Sequence, residues 1–370
     1  PGDPPFSMVM SSGRLQALMK AEMGYLENTY TVITVEKVLE QCTPYKVARV
    51  IKRELPARFA TRLREIEAVP QWRTISGLID VHSMLIESFY NIRLVHLDEH
   101  HMLPFIDVIR DLRRRHRPVL QHLTQAAREM TDKQVMTNEE VSAWLEQFMT
   151  SRIGTEMLTA QFVSLLEHPG GVHFGIVDHR CDPTALCQKV IDQVLRNALA
   201  NYSEKEVPKI RLVSKHKDIR FSFIPSYLAN MIDELLKNSV MATILLRRKL
   251  RSAPPGAIRG RSIKGGDIEV TVSADHDQVG IRISDAAGGV PFADSERVWD
   301  YMFSTMPEDM QTHFREETPL SGPGLGLPLV KLYATYLKGS LEFMSVPGVG
   351  TDAYLFLSRL DAAEGCVEEE

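Results

Sequence analysis

Cysteine is scarce in this chain: Cys42, Cys181, Cys187 and Cys366 are the four among 370 residues, and no two form a CxxC pair. That excludes a disulfide framework and fits reduced thiols in an intracellular compartment. No run of about 18 apolar residues occurs, so no transmembrane helix is expected. Neither sign of charge dominates. With 43 basic and 48 acidic residues the net charge is −5, which lacks the basic footprint of general nucleic-acid binding. No internal repeat with a period of roughly 20–50 residues is present, which excludes solenoids and propellers. No GK[ST] occurs, and no glycine motif follows an early βαβ unit, so Walker A and Rossmann nucleotide sites are excluded too. The first residue is Pro1 rather than Met, which reads as a processed or trimmed form, in which a cleaved targeting peptide would not be visible.

What remains is ample material for packed cores. The chain is 44% hydrophobic and 25% charged, and its length suggests two or three domains. Residues 1–23 open with several prolines and a Ser-Ser pair and are expected to be poorly ordered. From about residue 24 to 166 the pattern is helical, and a helical-bundle regulatory domain is expected over 24–182. Phe105, Ile109, Leu112, His116, Leu120, Leu123, Ala127 and Met130 recur at helical spacing and form one apolar stripe. Pro118 lies inside that stretch, so a kink or local break is expected near His116. Several long helices with short connections predict an antiparallel bundle.

Residues 183–360 have a different texture. Helices are expected near 183–201 and 225–247, and strands at "KIRLVS" and "DIRFSF". Ile268, Val270 and Val272 alternate, as do Val279, Ile281 and Ile283, with "DHD" between them: an antiparallel hairpin. Further strands are expected near 340–346 and 352–358, before an acidic tail over 361–370. The fold class expected is α+β: an N-terminal antiparallel helical bundle, then an α/β sandwich with a mixed sheet and helices on one face.

Three short motifs in the second half could carry chemistry. In "DELLKNSVMAT" (233–243), Glu234 and Asn238 are one helical turn apart and share a face. A carboxylate there could take a proton from a nucleophile, and an amide oxygen could ligate Mg²⁺. A solvated polar face is the plain alternative. In "SDAAGGVP" (284–291), Asp285 ends a strand, where it could accept a hydrogen bond from a ligand amino group. Gly288 and Gly289 would let backbone approach that ligand, or form an ordinary turn. In "LSGPGLGLPLVKLYATYLKG" (320–339), Gly322, Gly324 and Gly326 precede a helix with Pro328 near its start. Converging N–H groups and the helix dipole there suit phosphate oxygens, or the stretch is a flexible turn that happens to precede a helix.

The order of these motifs, closed by "GVGTD" (348–352), resembles the nucleotide-binding fold shared by gyrase, the Hsp90 chaperones, histidine kinases and MutL. The resemblance narrows further. "ELLKNSVMAT", "ISDAAGGVP", "DYMFST", "GPGLGLPLVKLYATYLKGSL" and "GVGTDAYL" are similar to segments of the mitochondrial protein kinases: the pyruvate dehydrogenase kinases and the branched-chain 2-oxoacid dehydrogenase kinase. In the N-terminal half "RELPARFATRLREIEAVP" (53–70), "FMTSRIGTEML" (148–158) and "HFGIVD" (173–178) resemble that family in the same order, so the likeness covers roughly residues 25–360.

The resemblance implies a protein serine kinase that moves the ATP γ-phosphoryl group to the E1α subunit of a 2-oxoacid dehydrogenase and switches the complex off. It implies ATP and Mg²⁺, with K⁺ as a further candidate ion. It also implies the lipoyl domain of the E2 core as a partner, a homodimer, and a place in the mitochondrial matrix, with no nucleic acid and no membrane span. Carried onto matching positions, Glu234 is the general base, Asn238 the metal ligand, and Lys237 a neighbour of the phosphate charge. Asp285 would hold the adenine amino group with Gly289 beside it, and Thr351 would lie near the adenine. Ser304 and Thr305 would open a mobile lid over 305–321, and Gly322, Pro323, Gly324, Leu325, Gly326 and Leu327 would cradle the phosphates. Met241 stands at another nucleotide position, where the family has an arginine. His116 matches the family's histidine close to the base, or is a hydrogen-bonded core histidine.

The chain departs from the family pattern at several points. Pro118 replaces an Asp, Asn230 a histidine, and Pro323 and Leu325 the aromatics of the glycine loop. Arg113 and Arg152 remain at effector positions, but Glu156 replaces an arginine, which is electrostatically unfavourable for a 2-oxoacid anion. The long C-terminal tail of the pyruvate-type kinases is absent from this sequence. A histidine kinase is the alternative activity, although Arg117 and Pro118 follow His116 where an acid usually follows a phospho-acceptor. A non-kinase ATPase of the same fold is the other. The triple histidine of "HLDEHH", His96, His100 and His101, is a metal motif in spacing alone, and a solvated segment is expected there.

Overall fold

The computed structural model describes residues 13–26, 37–38, 43–168, 173–216, 218–252, 266–307 and 324–360. The chain divides into two compact units, Pro1–Pro169 and Gly170–Glu370. The expected division after residue 182 is corrected: strand pairing, described below, draws residues 173–181 into the second unit.

In the first unit the helices are α1 (Gly13–Leu26), α2 (Pro44–Glu67), α3 (Ser76–Leu94), α4 (Leu103–Arg115), α5 (Val119–Asp132) and α6 (Asn138–Glu167). Their starts are written locally. Thr43 caps α2 by accepting from the Lys46 N–H at 3.3 Å, with Pro44 at the first helical position. Thr137 and Glu140 form a reciprocal capping box at α6. α2 packs on α3 and α6, and α5 packs on the same two, so these four close a ring around the core; α4 adds to α3 and α6. Helix α1 packs on α2 and buries Met19, so ordered structure begins before residue 24. Residues 1–12 lie outside the described residues.

The apolar stripe from Phe105 to Met130 is buried throughout, but it belongs to two helices. Helix α4 stops at Arg115 and α5 starts at Val119. Pro118 has no N–H to continue the ladder, which is the break expected near His116.

In the second unit β1 (His173–Phe174), β2 (Val177–Cys181) and β4 (Phe221–Phe223) form a small antiparallel sheet. Helix α7 (Pro183–Asn201) starts at Asp182, whose side chain accepts from the Ala185 N–H at 2.9 Å. The main sheet has the order β3-β5-β6-β8-β7, from β3 (Ile210–Ser214), β5 (Ile268–Ala274), β6 (Gln278–Asp285), β7 (Ser340–Val346) and β8 (Gly350–Ser358). Strands β3 and β5 are parallel and the other pairs antiparallel, so the sheet is mixed.

The β5–β6 hairpin has the expected register, with Val270 opposite Ile283 and Val272 opposite Ile281. Its turn is held by the Asp275 carboxylate, which accepts from the Asp277 and Gln278 N–H groups. One sheet face buries Ile268, Val270, Val272, Val279, Ile281, Ile283, Ala353, Leu355 and Leu357. Helices α7, α8 (Pro225–Ser252) and α9 (Gly326–Tyr336) pack on this sheet. Each fully buried aliphatic side chain contributes about 1.5–3 kcal/mol, so this interface is a large stabilising contribution to the unit. Residues at the alternate positions, Glu269 and Arg282, pair with each other at 2.7 Å on the other face. Among the described residues, no helix is long and apolar enough to cross a membrane.

Candidate ATP-binding and phosphotransfer site

Helix α8 carries the first part of the site. Its apolar stripe of Leu228, Met231 and Leu235 is buried, which fixes the helix rotation on the sheet. That rotation leaves Glu234 only 6% exposed and Asn238, one turn on, exposed. Lys237 is buried beside Glu234 and donates from Nζ to Oε1 at 3.0 Å. Burial works against its charge, but the carboxylates of Glu234 and Asp233 outweigh it and raise its pKa above the ordinary value. Met241, expected at the nucleotide, is a buried side chain. A thioether cannot replace the charge of an arginine at phosphate, and its apolar character suits the core.

The glycine stretch meets this helix directly. Helix α9 begins at Gly326, two residues before the position expected from Pro328. A β-carbon on Gly326 would come within 2.7 Å of Glu234 Oε2, so with any larger residue the start of α9 could not sit against that carboxylate unless the carboxylate shifted. Gly324 has φ +76° and its carbonyl accepts from the Met302 N–H at 2.8 Å. The two ends of the expected lid are therefore tied together, at Met302 and Gly324, just outside 305–321. Leu325 is buried, so the residue that replaces an aromatic anchors the loop through apolar packing. Ser304 and Thr305 are exposed, and the Ser304 hydroxyl accepts from the Met306 N–H at 3.2 Å. Gly322 and Pro323 lie outside the described residues, while Leu327 is half-buried in the first turn of α9.

Asp285 ends β6, as expected, and pairs in register with Thr351 of β8. Its carboxylate accepts from the Ser239 hydroxyl at 2.9 Å and from the Ala287 N–H at 2.9 Å. Burial pushes the Asp285 pKa up, against the lowering effect of these donors. Thr351 shares a hydrogen bond with Ser345, which in turn accepts from the Val290 N–H at 2.7 Å. The Gly288–Gly289 turn is held to the β7–β8 turn, where the Gly348 N–H donates to Gly288 O at 2.7 Å. Asp285, Gly289 and Thr351 thus converge at one end of β6 and β8.

His116 lies in the first unit, where it terminates α4. It is 9% exposed, its Nε2 lies 2.9 Å from Ser88 Oγ, and its ring meets Phe59 edge-on. Burial, then the Arg62, Arg152 and Arg115 guanidiniums, push its pKa down to about 3. A neutral, enclosed imidazole suits a core hydrogen bond and does not suit a phospho-acceptor. Arg113 is exposed, while Arg152 is buried and ion-paired with Glu156. Among the described residues no group of three or more His, Cys, Asp or Glu side chains is placed to hold a metal ion, and His96, His100 and His101 belong to no such group. Cys181 and Cys187 are free and buried, and burial raises both thiols to about 12. Cys42 and Cys366 lie outside the described residues.

Two neighbours of the candidate residues did not stand out in the sequence. Asp233 is an i,i+4 partner of Lys237, a spacing that was open to reading. Ser239 reaches Asp285 across 46 positions, and nothing local signals that contact.

Comparisons with known proteins bear on the family. Residues 29–178 match the family "Mitochondrial branched-chain alpha-ketoacid dehydrogenase kinase", and residues 223–361 match "Histidine kinase-, DNA gyrase B-, and HSP90-like ATPase". The chain is 30% identical over 332 residues to the mitochondrial pyruvate dehydrogenase (acetyl-transferring) kinase isozyme 4 of Ictidomys tridecemlineatus, covering 84% of this chain and 76% of that one. It is 30% identical over 333 residues to human isozyme 4, with the same coverage, and 28% identical over 330 residues to rat isozyme 1, covering 84% and 72%. The N-terminal bundle and the ATPase unit are matched in the same order in which they were built above. This chain belongs to the mitochondrial protein kinase family of the pyruvate and branched-chain 2-oxoacid dehydrogenase kinases.

Proposed function

We propose that this chain is an ATP-dependent protein serine kinase that phosphorylates, and so inactivates, the E1α subunit of a mitochondrial 2-oxoacid dehydrogenase. The observation that carries this reading is Glu234. It is a buried carboxylate held by Lys237 at 3.0 Å and placed against the start of α9, where a phosphate-binding turn belongs. ATP is the substrate. Its adenine amino group donates to Asp285 beside Thr351, and its phosphates lie on the N–H groups between Gly324 and Leu327. The substrate serine oxygen forms a bond to the γ-phosphorus as the bond to the β-phosphate oxygen breaks. ADP leaves, and the serine proton passes to Glu234.

The exposed Asn238 amide, one turn from Glu234, fits a hard divalent cation that keeps much of its water. Bound Mg²⁺ would supply neutralisation of developing phosphate charge. The chain's own part is positioning. Gly326 allows close approach, Lys237 fixes the base, and the Met302–Gly324 tie holds the lid ends at the phosphates.

The relatives' names support a mitochondrial location, and we place the protein in the matrix, as a homodimer that docks on the lipoyl domain of the E2 core. The test is transfer of labelled phosphate from Mg-ATP to purified pyruvate and branched-chain E1, side by side. Acid-stable phosphoserine on one E1α supports the proposal. Acid-labile phosphate on the kinase itself, or ATP hydrolysis with no transfer, overturns it.

A further inference from the structure

Asp233 was not among the residues expected to act, yet it completes a buried three-charge cluster on α8. Lys237 Nζ lies 2.6 Å from Asp233 Oδ2 and 3.0 Å from Glu234 Oε1. All three side chains are less than a tenth exposed. Both carboxylates lie N-terminal to the lysine, at i−4 and i−3, the favourable orientation for helix ion pairs. Among the described residues the cluster holds two negative charges and one positive, out of water, within one helical turn.

We propose that Asp233 is a positioning residue for the base. It shares the Lys237 ammonium, so Glu234 receives only part of that charge, and it holds Nζ on the Oε1 side. Glu234 Oε2 faces Gly326, on the side where the acceptor proton would arrive.

The electrostatic consequence has one sign. A carboxylate facing a full ammonium charge binds a proton less readily than one facing a shared charge. A neighbouring anion makes proton binding easier still. Asp233 acts in both ways, so it keeps Glu234 more basic than Lys237 alone would. Other charged groups come from the elements packed on α8. Helix α9 brings Lys331, whose ammonium lies over the Trp299 ring at 4.5 Å. Strand β6 brings Asp285, which is engaged by Ser239. Strand β2 brings Asp178, His179 and Arg180, and α7 brings Lys189, Asp192 and Arg196. The charges that act most strongly on Lys237 are those of Glu234 and Asp233.

The inference rests on the proposed phosphotransfer reading only for its rate readout. The direct measurement is the titration of the Glu234 side-chain carbon, by ¹³C NMR of the full chain labelled at glutamate. Its signal is assigned by its loss in Glu234→Gln. In Asp233→Asn, which keeps shape and removes charge, the Glu234 midpoint should fall by about one unit. Asp233→Glu, which restores the anion, should return it toward the wild-type value. In phosphotransfer to E1, Asp233→Asn should lower kcat about tenfold with KM for ATP little changed, and move the acid limb of the pH profile down. An unchanged Glu234 midpoint in Asp233→Asn, or a loss that Asp233→Glu fails to recover, overturns the inference. If wild-type protein transfers no phosphate to either E1, the proposed function falls, and the carboxylate titration still decides the role of Asp233.

Discussion

Two buried polar clusters, one in each unit, solve opposite electrostatic problems. On α8, one lysine serves two carboxylates, Asp233 and Glu234. In the bundle, Arg62 and Arg152 surround a neutral His116, with Glu156 as the carboxylate on Arg152. Arg62 is fully buried and bonds to neutral oxygens of Ser151 and Thr155, with the Phe59 and Phe148 rings about its guanidinium. Burial, with Arg58 nearby, lowers its pKa to about 9. An excess of anions keeps a carboxylate available to take a proton. An excess of cations keeps a histidine from taking one. The first arrangement suits a base, and the second a structural joint between helices.

Breaking the anionic cluster should have the largest effect. Glu234→Gln removes the proton acceptor and should cost about 10²–10⁴-fold in phosphotransfer, read as the rate of label incorporation into E1. Gly326→Ala comes next. Its β-carbon would press on Glu234 Oε2, and the carboxylate must move. We expect a kcat loss of about tenfold or more with the fold intact by circular dichroism, since misplacing a catalytic group by about 1 Å can cost 10²-fold. Asn238→Ala should weaken Mg-ATP binding several-fold in a calorimetric titration, and unaltered affinity would remove Asn238 as the metal ligand.

The cationic cluster makes a smaller, thermodynamic prediction. His116 has its folded pKa at about 3, below an unfolded value of about 6.5. Its contribution is complete above pH 6.5, fades as pH falls, and is gone below the folded value. Between pH 6.5 and 5 the loss is about 2 kcal/mol, because each unit is worth about 1.4 kcal/mol. Denaturant unfolding at the two pH values measures it, and His116→Gln should flatten the slope. An equal slope in the variant would show that other groups set it.

Much of this was legible in order and spacing. Glu234 and Asn238 one turn apart, Asp285 at a strand end and the glycines before α9 were readable as a set, because each depends on local geometry. The β5–β6 hairpin was readable for the same reason, since alternation and a three-residue polar turn specify a register. The break at Pro118 followed from the missing N–H, although the stripe alone read as one helix. What escaped was non-local. Strand β2 joins the second unit through pairing with β4 across some forty residues, and β2 shows no clear alternation. The Ser239–Asp285 bond and the Met302–Gly324 tie join segments that only the folded sheet brings together. Met241 was assigned by position in a motif, whereas its burial depends on how far α8 is rotated on the sheet.

We propose Glu234 as the base in a nucleotide site rather than a structural carboxylate. The direct measurement pairs Mg-ATP affinity with phosphotransfer to E1 for wild type and Glu234→Gln. The variant should bind Mg-ATP within a few-fold of wild type and transfer almost no phosphate. Transfer at the wild-type rate would rule Glu234 out as the base.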